Sequence, residues 1–189
     1  MRQCICVGML LALVLLAGCQ TPAAEKGSAQ APAQKPCAEP AEKSTPCPAA
    51  TKVEDVIIDN ADAGFRSEGS WDPGESEQNY RDGVVWAVGG DQATAKAVWS
   101  PDIKVPGTYE VYEWHGDDPN SDHASDAPFT INYQGGSAIV RVNFCENIGK
   151  WNLLGEFKFA AGTTGNVTLT NKANGNVIAD AVRFAYKGK

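Results

Sequence analysis

The chain has 189 residues, with 16 Lys+Arg against 23 Asp+Glu and a formal net charge of −7. Within residues 53–189 the balance is 11 basic to 20 acidic side chains, a net of −9. That excludes binding of DNA, RNA or bare anionic lipid through a broad basic face, and suits neutral sugars, cations or plain solubility.

The first element is a leader. Met1-Arg2-Gln3 is a short positive start, and an apolar run from Ile5 to Ala17 follows it. The run is too short to span a bilayer comfortably and has the build of a secretory signal peptide over 1–18. Leu15-Leu16-Ala17-Gly18-Cys19 resembles the lipobox of bacterial lipoproteins. The resemblance implies lipidation of Cys19, which becomes the first residue of the mature chain and holds it to the membrane. Gln20, not Asp, follows the cysteine, and by the same resemblance this favours the outer membrane of the cell envelope.

Residues 19–52 read as a tether. Pro22, Pro32, Pro36, Pro40, Pro46 and Pro48 are interspersed with Ala, Lys, Glu, Gln and Ser, and no aromatic residue occurs there. Such a stretch cannot offset its ordering entropy by burial and acts as a semi-stiff disordered spacer. Removal of the leader leaves Cys37, Cys47 and Cys145 beside the lipidated Cys19. Cys37 and Cys47 can close a small disulfide loop in a permissive compartment, pair between molecules, or stay as thiols. Cys145 is the odd one and has no histidine or basic neighbour in sequence to make it a nucleophile.

Short strands then follow one another. They are expected at Val53–Ile58, Val84–Val88, Ala93–Trp99, Thr108–Trp114, Phe129–Tyr133, Ala138–Val142, Trp151–Phe159, Val167–Thr170 and Val177–Tyr186. Thr108 to Trp114 alternates with a period of two, and Gln134-Gly135-Gly136 is a hairpin turn. No stretch sustains a helical period. One all-β domain over 53–189 is expected, a β-sandwich of jelly-roll type, with its first and last strands paired antiparallel. Asp59-Asn60-Ala61-Asp62 offers side chains that bond nearby backbone amides, and Gly64 permits a left-handed conformation. Asp180 inside an apolar terminal strand is expected to face solvent or to accept backbone bonds at a sheet edge, with ligand contact as the sharper alternative.

These strands resemble the golvesin C-terminal/xanthan lyase carbohydrate-binding-like domain. The matching pieces run in order across 53–189. They include Ile57-Ile58-Asp59-Asn60-Ala61-Asp62-Ala63-Gly64-Phe65, Gly107-Thr108-Tyr109-Glu110-Val111-Tyr112, Gly149-Lys150-Trp151-Asn152-Leu153-Leu154-Gly155 and Val177-Ile178-Ala179-Asp180-Ala181-Val182-Arg183-Phe184. The resemblance implies a β-sandwich module appended to secreted and surface proteins, with sugar binding as its suggested role.

Two candidate sites stand out. Aromatic rings pack on the apolar faces of sugars, but they also fill β cores. Trp99, Tyr109 and Trp151 lie within strand patterns and are expected in the core. Trp71 lies in a Gly/Pro loop and Trp86 follows the Tyr80-Arg81-Asp82 turn, so Trp71, Tyr80, Arg81 and Trp86 form the expected carbohydrate-binding set. The second candidate is the loop from His115 to Asp126. Asp117, Asp118, Asp122 and His123 offer metal ligands there, calcium first, although the glycine and distal glutamate of an EF-hand are absent. The plain alternative is a solvated polar connection.

No Gly-x-Ser-x-Gly elbow, His-Glu-x-x-His or P-loop occurs, and no carboxylate is marked by an apolar setting. A non-catalytic surface module that binds polysaccharide is expected. The alternative is a structural lipoprotein docked on an envelope or secreted protein partner.

Overall fold

The computed structural model describes residues 52–117 and 122–189. The leader, Cys19, Cys37, Cys47 and Asp118 lie outside the described residues. The strands are β1 (Val56–Asp59), β2 (Phe65–Glu68), β3 (Asp72–Gly74), β4 (Val84–Ala87), β5 (Lys96–Trp99), β6 (Gly107–Trp114), β7 (Ala127–Tyr133), β8 (Gly136–Val142), β9 (Trp151–Phe159), β10 (Asn166–Thr170), β11 (Val177–Ala179) and β12 (Ala181–Gly188).

They form a multi-sheet all-β sandwich. A four-stranded sheet runs β1-β12-β6-β9, a five-stranded sheet β2-β5-β10-β7-β8, and a small third sheet β11-β4-β3. The terminal strands pair antiparallel as expected, with Val56 opposite Phe184 and Ile58 opposite Val182. This places the two ends of the folded domain side by side.

Alternation decides which residues fill the interior. From the four-stranded sheet come Ile58, Tyr109, Val111, Val182 and Phe184; from the five-stranded sheet come Ala97, Trp99, Phe129, Ile131, Val167 and Leu169, all buried. Rings lock the layers together. Phe159 meets Tyr109 and Phe184 edge-on at 5.9 and 5.3 Å, and Trp99 stacks on Phe129 at 6.1 Å. The Trp99 indole donates to the Asp180 carbonyl at 3.2 Å. Trp99→Phe should lower stability by about 1–3 kcal/mol, since it orphans that buried carbonyl and leaves a void. Urea unfolding measures it, and a change under about 0.5 kcal/mol would contradict this role.

Four local details differ from expectation or refine it. Gly64 is not left-handed; a Cβ there would meet the Ser100 carbonyl and Ile58 at 3.0–3.2 Å, so close approach is what favours glycine. The 59–62 turn does bond itself as expected, with the Ala61 amide on Asp59 Oδ1 and the Asp59 amide on Asp62 Oδ2. The last strand is broken at Asp180 into β11 and β12, which belong to different sheets. The strand β3, Asp72-Pro73-Gly74, carries proline because it is the outer strand of its sheet, where a missing donor costs little.

Candidate functional site

The site is built on the outer face of the four-stranded sheet. In β6 the residues Tyr109, Val111 and Glu113 point inward, so Tyr112 and Trp114 point outward. Tyr112 lies opposite Arg183 of β12 and Leu153 of β9, and Trp114 lies opposite Ala181 and Trp151. Expected in the core, Trp151 is instead half-buried on this outer face. The reason is a bulge in β9. Val111 pairs with Gly155, but the next residue, Tyr112, pairs with Leu153. Gly155 takes φ +145° there. One extra residue reverses the phase of the strand, so Phe157 and Phe159 face inward while Trp151 and Leu153 face outward.

Three rings converge. Trp151 lies 5.3 Å from Trp114, and Tyr80 lies 5.0 Å from Trp151 and 5.6 Å from Trp114. Tyr80 comes from the 75–83 loop, which is pinned at two points. The Trp114 indole donates to the Gln78 carbonyl at 2.8 Å, and the Tyr80 amide donates to Asp180 Oδ2 at 3.0 Å. Arg183 completes the group, its guanidinium 4.2 Å from the Tyr112 ring centroid and 5.0 Å from that of Trp151. Among the described residues, the Trp151 indole N–H and the Tyr80 hydroxyl make no hydrogen bond within the protein.

Beneath the rings lie buried polar groups that hold the loops. Asp180 is 1% exposed. Burial pushes its carboxyl up to about 8, the Tyr80 amide pulls it down, and the charges of Asp59 and Glu113 add to the rise. Asp59 is raised as well, by burial first, against the Ala61 amide and Arg81. An apolar setting does therefore mark out a carboxylate, contrary to the expectation from sequence. Asp180 is also not solvent-facing; it accepts a backbone bond in the interior. His115 and Glu113 are both fully buried and 3.0 Å apart. His115 Nε2 is 3.0 Å from the Glu146 carbonyl, which can only accept, so that nitrogen donates and Nδ1 shares a proton with Glu113. The Gly149 amide donates to the His115 carbonyl at 3.0 Å. These bonds fix the turn that delivers Trp151.

Residues 56–186 match the Golvesin C-terminal domain. The chain belongs to that family. This Golvesin C-terminal domain is similar to xanthan lyase of Bacillus sp. (strain GL1), 30% identical over 149 residues, or 75% of this chain and 16% of that protein. It is also similar to the solved structure of Paenibacillus xanthan lyase, 33% identical with a TM-score of 0.65, covering 70% of this chain and 13% of that one. The chain thus corresponds to a small part of the xanthan lyases it matches. The family 35 carbohydrate-binding module from Cellvibrio japonicus Abf62 shares the fold at 17% identity, with a TM-score of 0.51 over 72% of this chain and 96% of that one.

Of the set expected from sequence, the Golvesin C-terminal domain brings Tyr80 and Arg81 together, with the Arg81 guanidinium 5.3 Å from the Tyr80 ring. Arg81 is engaged by Asp62 at 3.1 Å. An open cleft of about 670 Å³ lies along the same loop, lined by Glu75, Glu77, Asn79, Arg81 and Asp82 among others. Trp71 and Trp86 are placed differently. Both are half-buried and pack against the core, Trp71 donating to the Glu68 carbonyl at 3.0 Å and Trp86 standing in β4.

In the acidic loop, His123 Nε2 lies 3.0 Å from Asp117 Oδ1. The Asp122 carbonyl accepts from the Asn176 amide at 2.7 Å. Among the described residues, no group of three or more His, Cys, Asp or Glu side chains is placed to hold a metal ion. The Cys145 thiol lies 3.7 Å from the His123 carbonyl.

Trp114, Trp151 and Arg183 are residues that sequence reasoning left out of the site. A signal for Trp114 and Arg183 existed. If Tyr109 and Val111 face in, Tyr112 and Trp114 must face out, and Arg183 between Val182 and Phe184 must do the same.

Proposed function

We propose that this chain is a non-catalytic, lipid-anchored module of the cell envelope that binds polysaccharide through the outer face of its four-stranded sheet. One observation carries this reading: Tyr80, Trp114 and Trp151 converge at the surface beside donors that the described residues leave unbonded. Ring faces of sugars are apolar and their rims are hydroxylated, so a half-buried aromatic cluster with unengaged donors matches both. The two relatives at 30% and 33% identity are named for acting on xanthan, a polysaccharide, and the matched part is a minor share of each. Asp180, the carboxyl pushed up to about 8, is 1% exposed and so has almost no surface to offer a substrate. That supports a binding role over a hydrolytic one.

Retention of the full chain on immobilised polysaccharides of several classes tests this, with and without calcium. Retention on at least one class is expected. Passage through all of them in both conditions would contradict it. The second reading, docking on a protein partner, is favoured by Leu153, 55% exposed on the outer strand β9. In that case envelope proteins co-purify and glycans do not compete.

Anchoring rests on Cys19. Cys19→Ser should abolish labelling by radioactive palmitate and move the protein from the membrane to the soluble fraction. A variant that is still labelled and sedimented would overturn the lipoprotein reading.

A further inference from the structure

We propose that the glycan recognised by this face is acidic, and that Arg183 reads its carboxylate. The inference rests on the polysaccharide-binding reading and narrows it. Arg183 differs from the other arginines that the fold engages. Arg81 is bonded to Asp62, and Arg141 donates to the Asp126 carbonyl at 2.9 Å. The Arg183 guanidinium carries five N–H donors. Among the described residues none of them makes a hydrogen bond within the protein, and Nε is buried without a partner. Asp55, the acid paired with it among the described residues, stands 3.8 Å from Nη1, beyond hydrogen-bond distance.

The side chain is nevertheless held in place. Tyr112 and Trp151 flank the guanidinium, and its side chain is 24% exposed. Neighbouring Glu110 bonds Lys187 at 2.8 Å and the Tyr112 hydroxyl at 2.9 Å, and the charge of Arg183 is the weakest of the influences on it. A fixed, planar guanidinium with free donors at a partly desolvated surface matches a carboxylate through two parallel N–H···O bonds. It lies beside the aromatic corner, since Cζ is 5.0 Å from the Trp151 ring centroid. A sugar lying across Tyr80 and Trp151 therefore brings a ring substituent within its reach. A neutral sugar hydroxyl accepts from one such donor, whereas a carboxylate accepts from two in parallel and carries the opposite charge, so the acid is favoured.

The test is a titration of the full chain with xanthan and with polygalacturonate. Each is used as the acid and after reduction of its carboxyl groups to alcohols, so that the backbone is unchanged. Tighter binding of at least one acid form is expected, by about ten-fold or more over its reduced form, weakening as salt rises. Arg183→Gln should remove that difference and Arg183→Lys should restore only part of it. Asp55→Asn, at an exposed position off the core, should tighten binding of the acid form alone. Dextran sulfate should compete poorly. Equal binding of acid and reduced forms would overturn the proposal and leave the polysaccharide reading standing, as would equal competition by dextran sulfate. Absence of binding to either form, together with failure on every other polysaccharide class, would overturn both.

Discussion

Trp151→Ala is expected to weaken polysaccharide binding by about 30-fold or more while the domain stays folded. Trp151 is the hub of the cluster, touching Tyr80, Trp114 and Arg183 at once. Removing it deletes a contact ring and frees the other three groups to reorient. Aromatic anchors at the centre of an interface commonly contribute about 2 kcal/mol or more to binding, which is about 30-fold. The fold should tolerate the change because Trp151 lies outside the sandwich core. Trp151→Phe, which keeps a ring but lacks the indole N–H, should fall between. Retention on the preferred polysaccharide and urea unfolding, measured on the same preparations, separate the two effects. Undiminished binding by a folded Trp151→Ala protein would remove this face from consideration.

The second large effect concerns pH. Asp180 is raised to about 8, so the native protein keeps a proton there that the unfolded chain releases near 3.8. Between these values the native state binds more protons than the unfolded state, and stability falls as pH rises. Below the lower value the contribution is fully present, and above about 8 the loss is complete. A tenfold difference in proton affinity between the folded and unfolded chain corresponds to about 1.4 kcal/mol. Relaxation and water entry around the ionised group limit the realised loss to about 2–4 kcal/mol. Asp59, also raised by burial, acts in the same direction. Asp180→Asn is neutral at every pH and keeps a carbonyl acceptor for the Tyr80 amide. It should flatten most of this slope, matching the parent near pH 5 within about 1 kcal/mol and exceeding it near pH 9 by about 2 kcal/mol or more. Denaturant unfolding at intervals from about pH 5 to 9 reads this directly. A parent with no fall over that range, or a variant that falls as steeply, would contradict the account of Asp180.

The architecture was legible because β-strands announce themselves by alternation. Thr108 to Trp114 alternates without interruption, and β6 follows it with one residue more. The antiparallel pairing of β1 with β12 was also within reach, since both terminal segments are apolar and need a partner. What escaped was every feature set by one residue. The bulge at Gly155 reverses the faces of β9. Counting by twos from Phe159 and Phe157 therefore sends Trp151 inward, where the structure turns it out. The break at Asp180 was hidden because Val177 to Phe184 reads as one apolar run, and only the change of sheet shows that the carboxyl is buried under the 75–83 loop. Tyr80 and Arg81 stand in a turn that the sequence marks. Their partners Trp114 and Trp151 belong to strands distant in sequence, and register alone brings them together.

Trp71 and Trp86 illustrate the opposite limit. A tryptophan in a Gly/Pro loop looks surface-bound, yet its large area is recruited by the nearest apolar layer. The chain's five tryptophans now give a direct way to locate the binding face. The central measurement is a set of indole N–H resonances from the ¹⁵N-labelled full chain, each assigned by a Trp→Phe variant, recorded during addition of the retained polysaccharide. The signals of Trp151 and Trp114 should shift or broaden, while that of buried Trp99 and those of Trp71 and Trp86 stay in place. Movement of Trp71 or Trp86 with Trp151 unaffected would place the glycan elsewhere and contradict the site described for the four-stranded sheet.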